Sequence, residues 1–236
     1  MIEARLPKLD WKMIRHYLTL TVYSICKNEI NNVERFLNSF GKADYLCILD
    51  TGSTDGTWEY LQEQAQKRKN LIIKQEIISP WRYDTARNVS MTLIPKETDI
   101  FFMADLDEEI KEDDWVSKVK GVWDPLFSRG MYDYHRDLDE NGNIVRTIKE
   151  YRVHSREWTH WVNIVHEAIC KEDGEKRFYM EACHKMDIAV WHYSKKRDTN
   201  YMELCEQDLE ENPEDWIMRL QLAIEYEIRK EDEKAI

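Results

Sequence analysis

Acidic side chains that could bind a metal ion follow one of the apolar segments of the chain. Asp105 and Asp107 come directly after the apolar run 100–103. Carboxylate oxygens are hard ligands suited to Mg²⁺ or Mn²⁺, and such ions usually share their coordination shell with substrate phosphates. In a chain this acidic, Asp-x-Asp could instead be a solvated loop. Its position at the end of an apolar strand favours a Mn²⁺ or Mg²⁺ site.

Two further apolar segments also end in polar residues. Segment 18–26 leads into Lys27-Asn28-Glu29, and segment 45–49 ends at Asp50, which is followed by the turn-forming residues 51–56. In parallel sheets, ligands bind at the carboxyl ends of the strands, where the loops converge. We therefore expect these strand ends and the Asp105 segment to line one cleft.

Strands and helices alternate through the first half of the chain. The hydrophobic patterns predict strands over 18–26, 45–49, 71–78 and 100–104, and helices over 31–40, 57–69 and 84–94. This alternation is typical of a mostly parallel, doubly wound (Rossmann-like) α/β sheet.

The pattern changes after Asp114. Segments 131–138 and 144–153 flank Asn141-Gly142 and predict a β-hairpin, and from 198 onward the chain is helical in two segments broken at Asn212-Pro213. The predicted organisation is an extension over 1–17, a main domain over 18–197 and a helical tail over 198–236. The last helix has no stop signal, which suggests that the chain was cut inside a longer helical region.

Bulk composition limits the possible partners and compartments. The 236 residues include 34 Lys+Arg against 46 Asp+Glu, for a net charge of −12, which disfavours nucleic acid as a partner. The 5 cysteines are scattered, which favours a reducing cytoplasm over a disulfide framework. Segment 1–17 is too charged for a signal peptide, and no apolar run approaches the ~20 residues of a transmembrane helix. We expect a soluble cytoplasmic protein.

Several motifs, taken in order, resemble the family 2 glycosyltransferases of the GT-A fold. The resemblance covers about 18–193 and rests on segments 24–29, 49–57, 86–88 and 104–108. Segments 161–167 and 188–192 are similar to the family's acceptor side and last sheet element. The fold implied is a GT-A type α/β domain with an acceptor-side β-hairpin region and a C-terminal helical tail.

This resemblance implies a nucleotide-sugar donor, above all a UDP-sugar, and a metal-dependent hexosyltransferase. The implied donor-binding residues are Ser24, Asn28, Glu29, Asp50, Arg87 and Asp105. Asp50 would hydrogen-bond the base or ribose, Arg87 would meet the nucleotide or its diphosphate, and Asp105 would contact the ribose or the metal.

The resemblance also implies the metal ligands. Asp107 would hold Mn²⁺ or Mg²⁺ directly, with Asp105 beside it, and His192 would complete the shell from the far side. His184 is the rival candidate for that position.

The family is inverting, which implies one in-line displacement with a base that removes the acceptor's proton. Glu167 is the candidate base, and His166 could be the base instead or could orient Glu167. The chain departs here from the commoner Glu-Asp pair of the family, and it has Asn163 where a glycine is frequent.

The acceptor could be a peptide or protein, a glycan or a lipid. Segment 212–226 resembles the first helix of a tetratricopeptide repeat, a type of unit that forms concave surfaces suited to peptides or to homo-oligomers. The alternative is a single helix packed on the main domain.

Two other functions compete with the enzyme. A nucleotidyltransferase usually needs a Gly-rich phosphate loop near the first strand, and segment 24–29 contains no glycine. A non-catalytic nucleotide-sugar binding or scaffold module would keep Asp50 but lose Asp107 or the acceptor-side acid, and neither is lost. The enzyme is therefore favoured, and the binding module ranks second.

Overall fold

The computed structural model of the chain describes residues 15–124, 129–171, 183–193 and 201–228. The strands are β1 Leu20–Cys26, β2 Tyr45–Asp50, β3 Leu71–Gln75, β4 Ile100–Met103, β5 Glu108–Ile110, β6 Arg129–Leu138, β7 Ile144–His154, β8 Trp158–Val162, β9 Ala168–Lys171 and β10 His184–His192. The helices are α1 Val33–Phe40, α2 Thr57–Lys67, α3 Tyr83–Met91, α4 Trp115–Val122, α5 Tyr201–Glu211 and α6 Trp216–Ile228. A 3-10 turn covers Arg15–Tyr17, and the rest of the predicted extension lies outside the described residues.

One sheet organises the fold, with strand order β3-β2-β1-β4-β7-β6-β10-β5. The half from β3 to β4 is parallel and is the doubly wound α/β part predicted from the alternation of strands and helices. The hairpin β6–β7 extends the same sheet, because β7 pairs antiparallel with β4. β8 and β9 form a separate two-stranded sheet. The predicted GT-A type α/β architecture with an appended hairpin is therefore confirmed.

Apolar side chains cover both faces of the parallel half, as expected for strands buried on both sides. On one face, α1 buries Phe36 and Phe40 at helical spacing, and Phe40 makes edge contacts with Phe102 and Trp115 at ring-centroid distances of 5.8 and 5.9 Å. The other face packs Tyr23 and further residues of β2, β4 and β8 into a second cluster. The carboxyl ends of the strands are thus held on a rigid support.

Some element boundaries differ from the sequence prediction for identifiable reasons. β3 ends at Gln75 rather than at 78, because its partner β2 ends at Asp50, the residue opposite Gln75. α3 ends at Met91 rather than at 94, because Pro95 disfavours helical backbone in the residue before it. β5 was not predicted, since its three residues carry no apolar pattern, yet it pairs with β10 and sets Glu108 opposite His192.

The C-terminal helices form a pair that packs on the main domain. The predicted break at Asn212-Pro213 is confirmed, because α5 ends at Glu211 and α6 starts at Trp216. The apolar faces of both helices join Val165 and Tyr83 in one cluster. Within the described ranges, no helix has both the length and the apolar character needed to cross a bilayer.

A buried histidine links three strands of the molecule. His154 ends β7 and is fully buried, with Nε2 2.8 Å from the Tyr23 hydroxyl and Nδ1 3.0 Å from the Ser155 carbonyl. Trp161 Nε1 on β8 donates to the same hydroxyl at 3.0 Å. These bonds suit a neutral imidazole that donates from Nδ1 and accepts at Nε2. Burial lowers the pKa of His154 to about 3.

This histidine makes the stability of the fold sensitive to acid. Unfolded, its imidazole takes up a proton below about pH 6.5, whereas the native state resists protonation until about pH 3. The stabilisation is therefore complete above pH 6.5 and is lost as the pH falls through that window. We expect the free energy of unfolding of the wild type to fall between pH 6 and 4 by about 1.4 kcal/mol per pH unit more than that of His154→Gln.

Denaturant unfolding at a series of pH values measures this difference. His160→Gln is the matched control, because His160 lies on β8 and is only partly buried. Equal slopes for the wild type and His154→Gln would contradict the assignment of a neutral, buried His154.

Candidate active site

The loops that follow β1 and β2 are hydrogen-bonded to each other. The Asn28 backbone N–H donates to Ser53 Oγ at 2.8 Å, and the Thr54 N–H donates to Asn28 Oδ1 at 2.8 Å. The Glu29 N–H donates to Thr57 Oγ1, also at 2.8 Å. Much of the long Thr-Gly-Ser-Thr-Asp-Gly-Thr motif therefore joins two loops, and the predicted donor residues Asn28 and Glu29 lie beside the turn after Asp50.

Asp50 shapes that turn from within. Its carboxylate is fully buried, and Oδ1 accepts hydrogen bonds from Gly52 N, Ser53 N and Gln75 Nε2, each at 2.9 Å. Burial would raise the pKa of Asp50, but these bonds outweigh it and lower the pKa. Gly52 has a φ of 103°, which favours glycine. Ile77 lies over Gly52 and is 76% exposed, so this pair forms the accessible surface above Asp50.

Ser24 has a more internal position than a ligand contact suggests. Its side chain is fully buried in β1, and its hydroxyl donates to the Ile25 carbonyl at 3.3 Å. Thr51, which follows Asp50, donates from Oγ1 to the Cys26 carbonyl at 3.0 Å. Both hydroxyls support the strand ends from below the cleft surface.

Asp105 lies between two arginines. Arg87 Nη2 donates to Asp105 Oδ1 at 2.6 Å, and Arg152 Nη1 donates to Oδ2 at 3.2 Å. Arg87 is only 4% exposed, and its Nε donates to Glu167 Oε1 at 3.1 Å. Burial would raise the pKa of Asp105, but the two guanidinium groups outweigh it and lower the pKa. The predicted residues Arg87, Asp105 and Glu167 therefore meet in one ion cluster.

Glu108 extends this cluster below Asp105. Its Oε1 accepts from Arg152 Nη1 at 2.7 Å and from the Tyr134 hydroxyl at 2.9 Å, and its Oε2 accepts from the Asp105 N–H at 3.1 Å. Burial raises the pKa of Glu108 to about 7, although Arg152 opposes this shift. Arg152 and Tyr134 were not predicted, because nothing in the hairpin sequence distinguishes them from ordinary strand residues.

The residue after Arg87 ties the same helix to the acceptor side. The side-chain amide of Asn88 accepts from the Trp161 N–H at 2.7 Å and donates to the Trp161 carbonyl at 2.9 Å. Neighbouring residues of α3 thus hold two different parts of the site: Arg87 binds the end of β4, and Asn88 binds β8. This explains the Ala86-Arg87-Asn88 motif in physical terms.

Asp107 and His192 lie together at the end of the sheet. His192 Nε2 is 3.4 Å from Asp107 Oδ2, and its Nδ1 lies 3.1 Å from the Arg136 carbonyl. Burial disfavours the charged imidazole, but the hydrogen bond and charge of Asp107 raise the pKa of His192 to about 9. The structure thus brings these two sequence-predicted ligands together.

The pair can supply two protein ligands to a divalent ion, and Asp105 is less available than predicted. Both oxygens of Asp105 are held by arginines, and the described residues contain no group of three His, Cys, Asp or Glu side chains arranged for a metal. A Mg²⁺-like ion commonly uses one or two carboxylates and completes its shell with phosphate oxygens and water. Asp107 fits that mode, and His192 would add a nitrogen ligand beside it.

The rival ligand His184 lies elsewhere. It starts β10, whose other end is His192, so a strand of this length separates them by on the order of 25 Å. His184 Nε2 accepts from the Asp124 N–H at 2.9 Å, and its ring packs against Trp123.

The loop before β9 carries both candidate bases. Asn163 and His166 have φ values of 76° and 53°, in the left-handed region. Glu167 accepts the bond from Arg87, and His166 Nε2 is hydrogen-bonded to the Tyr201 hydroxyl of α5. Glu167 therefore faces the ion cluster, whereas His166 is held by the helical tail.

The ion cluster and the loop before β9 line one cavity of about 400 Å³. That volume lies within the usual range for small-molecule sites. The ion cluster borders it through Arg87, Asp105 and Arg152, and the acceptor-side loop borders it through His166 and Glu167. Helix α6 contributes Ile217, Met218 and Gln221 to the lining of the same cavity.

Comparison with known families agrees with this site. The family described as "Glycosyl transferase family 2" matches residues 21–128, a segment that contains Asn28, Asp50, Arg87, Asp105 and Asp107. This segment therefore matches the family that the motifs resemble. Among curated proteins, no sequence is significantly similar to the chain.

Solved structures show the same fold. The mannosyltransferase PcManGT from Pyrobaculum calidifontis, in complex with GDP-Man and Mn²⁺, is 18% identical with a TM-score of 0.53, covering 80% of this chain and 61% of that one. S. aureus TarS 1–349 in complex with UDP-GlcNAc is 13% identical with a TM-score of 0.50, covering 87% and 71%. At these identities the likeness establishes the GT-A fold alone.

The matches to known proteins cover only parts of the two chains compared. A further S. aureus TarS structure, 17% identical with a TM-score of 0.40, is covered over only 22% of its length and covers 52% of this chain, so the chain spans a small part of that protein. The family match ends at residue 128, before His166, Glu167 and His192. The roles of all the predicted site residues, and the tetratricopeptide resemblance of the tail, stay predictions.

The buried cluster predicts a large effect of removing Arg87. Arg87→Met leaves the Glu167 carboxylate without this arginine and Asp105 with one arginine instead of two, so we expect the free energy of unfolding to fall by about 3 kcal/mol. Arg146→Met is the control, because the Arg146–Asp137 pair is about half exposed, with side-chain exposures of 52% and 47%. The control should cost less than about 1 kcal/mol. Urea unfolding measures both, and equal losses would contradict the importance of the cluster.

Proposed function

We propose that the chain is an inverting glycosyltransferase that moves a sugar from a nucleotide-sugar donor, a UDP-sugar in particular, to an acceptor, with Mn²⁺ or Mg²⁺ as cofactor. The observation that carries this proposal is the placement of the Asp107–His192 pair beside the Arg87–Asp105–Arg152 cluster at the strand ends of a family 2 domain.

The donor's nucleotide is proposed to lie against the loops after β1 and β2. Asn28 and Glu29 border this surface, and the exposed Ile77 beside Gly52 offers an apolar platform for a base. A direct bond from the base or ribose to Asp50 requires this turn to shift, because the Asp50 carboxylate is buried beneath it. The UDP preference is supported by the family resemblance and by S. aureus TarS, which has a fold of this type and was solved with UDP-GlcNAc.

The donor's diphosphate is proposed to lie between the metal pair and the ion cluster. Asp107 and His192 would hold the cation, which when bound stabilises the negative charge of the departing nucleoside diphosphate. Arg87 and Arg152 add fixed positive charge at the same end of the sheet, held in place by Asp105 and Glu108. Preorganised charge of this kind favours the charge that develops during transfer.

Glu167 is proposed to remove the acceptor's proton. Its carboxylate lines the cavity and is oriented by Arg87 Nε, which leaves Oε2 as the oxygen best placed to accept a proton from an acceptor hydroxyl. His166 is the alternative base or an orienting residue, although Tyr201 already occupies its Nε2.

The acceptor is proposed to be a peptide or protein, a glycan or a lipid. A net charge of −12 disfavours nucleic acid in this role. The 5 cysteines are scattered along the chain without the spacing of a disulfide framework, which supports the proposed cytoplasmic location. Self-association through the helical tail is compatible with the exposed apolar residues Trp216, Leu220 and Ile224 on α6.

Thermal unfolding with UDP, UDP-glucose and UDP-GlcNAc, each with and without Mn²⁺, tests the proposal. Binding to the native state stabilises it by about 2.7 kcal/mol at a ligand concentration of 100 Kd. We expect a rise in Tm that needs both nucleotide and Mn²⁺, and that is lost in Asp107→Ala. Asp113→Ala should keep it, because the Asp113 side chain is 98% exposed and pairs with Lys42 at the surface.

Two results would overturn this function. No Tm shift with any nucleotide would favour a scaffold without donor binding. Wild-type transfer by Asp107→Ala, without dependence on added metal, would remove the metal assignment.

A further inference from the structure

The helical pair α5–α6 is bonded to the loop that carries the candidate bases. The Ile164 N–H donates to Asp208 Oδ1 of α5 at 3.2 Å, and the Ile164 carbonyl accepts from the Tyr83 N–H of α3 at 3.0 Å. Ile164 is fully buried and Asp208 is 1% exposed. The backbone of this loop is therefore held on one side by the domain and on the other by the tail.

This loop needs such support because of its backbone conformation. Asn163 and His166 bracket Ile164 and Val165, and both have positive φ. Residues other than glycine keep such conformations only where the surroundings enforce them. Val165 supplies one restraint, since it is buried in the apolar cluster formed by the two tail helices. Asp208 supplies the polar restraint.

The second helix of the pair borders the cavity itself. Ile217, Met218 and Gln221 of α6 line the same cavity as Arg87 and Glu167. A molecule that reaches Glu167 through this cavity therefore passes α6.

We propose that the helical pair is a working part of the catalytic site. Asp208 is a positioning residue that sets the backbone of the loop and so the carboxylate of Glu167, and α6 is the wall along which the acceptor approaches. This inference rests on the proposed function. It assigns the helical pair α5–α6 a role in the rate of transfer and in the choice of acceptor.

Two changes at position 208 test the bond to Ile164, and the effect on kcat against that on KM separates positioning from a general loss of packing. Asp208→Asn keeps the size and an acceptor oxygen for the Ile164 N–H, whereas Asp208→Ala removes the acceptor. Loss of the bond should move Glu167 but leave the donor-binding loops after β1 and β2 in place. Small errors in the position of a catalytic group can lower a rate by up to about 100-fold.

Hydrolysis of UDP-GlcNAc in the presence of Mn²⁺ provides the assay, with water as the acceptor. We expect Asp208→Ala to lower kcat by about 10- to 100-fold with KM for the donor within about twofold, and Asp208→Asn to restore kcat to within about threefold of the wild type. Glu167→Gln should reproduce the loss in kcat. Glu203→Ala is the matched control, because Glu203 is an exposed acid on the same helix.

A second pair of variants tests the wall without touching Asp208, and so serves even where Asp208→Ala does not fold. Gln221→Trp places a bulky ring in the cavity beside Glu167 and should slow hydrolysis at least about fivefold, in keeping with the cost of displacing a catalytic group. Glu227→Trp, at an exposed position of the same helix, should hydrolyse UDP-GlcNAc at the wild-type rate.

The outcomes distinguish this inference from the function on which it rests. Wild-type kcat in both Asp208→Ala and Gln221→Trp, with an active wild type, would overturn the inference alone. Equal losses in the Ala and Asn variants would assign the effect to the charge of Asp208 rather than to its bond with the Ile164 N–H, and would overturn the positioning role. A wild type that neither hydrolyses UDP-GlcNAc nor shifts its Tm with any nucleotide sugar would overturn the proposed function, and the inference with it.

Discussion

The pairing of Asp105 with Arg87 and Arg152 is the interaction on which the site depends. A charged group taken out of water is costly unless opposite charges and hydrogen bonds compensate it. Here each carboxylate oxygen of Asp105 accepts a hydrogen bond from a different arginine. Arg87 also donates to Glu167, and Arg152 also donates to Glu108. Helix α3, strand β7 and the end of β4 each supply a charged group, so the three elements must meet for these charges to be compensated.

This constraint explains the division of labour among the acidic residues. Asp105 is used by the arginines, so it serves the site by holding positive charge in place. Asp107, two residues further, is turned toward His192 instead. On the proposed function, the Asp-x-Asp spacing thus separates a structural carboxylate from one that would bind the metal, and short β5 fixes the separation by pairing Glu108 with His192.

The same principle extends to the acceptor side. Glu167 is fixed by Arg87 from the domain, and the loop before it is fixed by Asn88 through Trp161 and by Asp208 through Ile164. A side chain held from several elements has little freedom to move, which is what a proton-transfer role requires. The candidate catalytic centre is therefore distributed over the parallel sheet, the two-stranded sheet and the helical pair.

Local patterns allowed the parallel half of the fold to be predicted. The apolar runs of β1, β2 and β4, the amphipathic face of α1 and the Asn-Gly turn of the hairpin depend on neighbouring residues, and all appear in the structure. The polar residues at the strand ends predicted that segment 27–29, Asp50 and Asp105 would line one cleft, whereas the ion pairs of Arg87 with Asp105 and Glu167 were not predicted. Residues with ordinary local sequence were missed.

Arg152 shows most plainly why the rest could not be predicted. It follows Asp105 by 47 positions and lies in a strand whose sequence alternates like any exposed hairpin, so only the tertiary pairing of β7 with β4 brings it to the cluster. Burial of Ser24 and Asp50 was hidden for a similar reason. A motif records residue types, whereas the accessibility of each carboxylate or hydroxyl depends on how the turn above it folds.

A crystal structure of the chain with UDP and Mn²⁺ tests whether Asp107 binds the metal while Asp105 stays with the arginines. We expect Mn²⁺ bound by Asp107, His192 and diphosphate oxygens, with Asp105 still held by Arg87 and Arg152. Mn²⁺ bound to Asp105 with the arginines displaced, or UDP bound away from the ends of β1, β2 and β4, would contradict it.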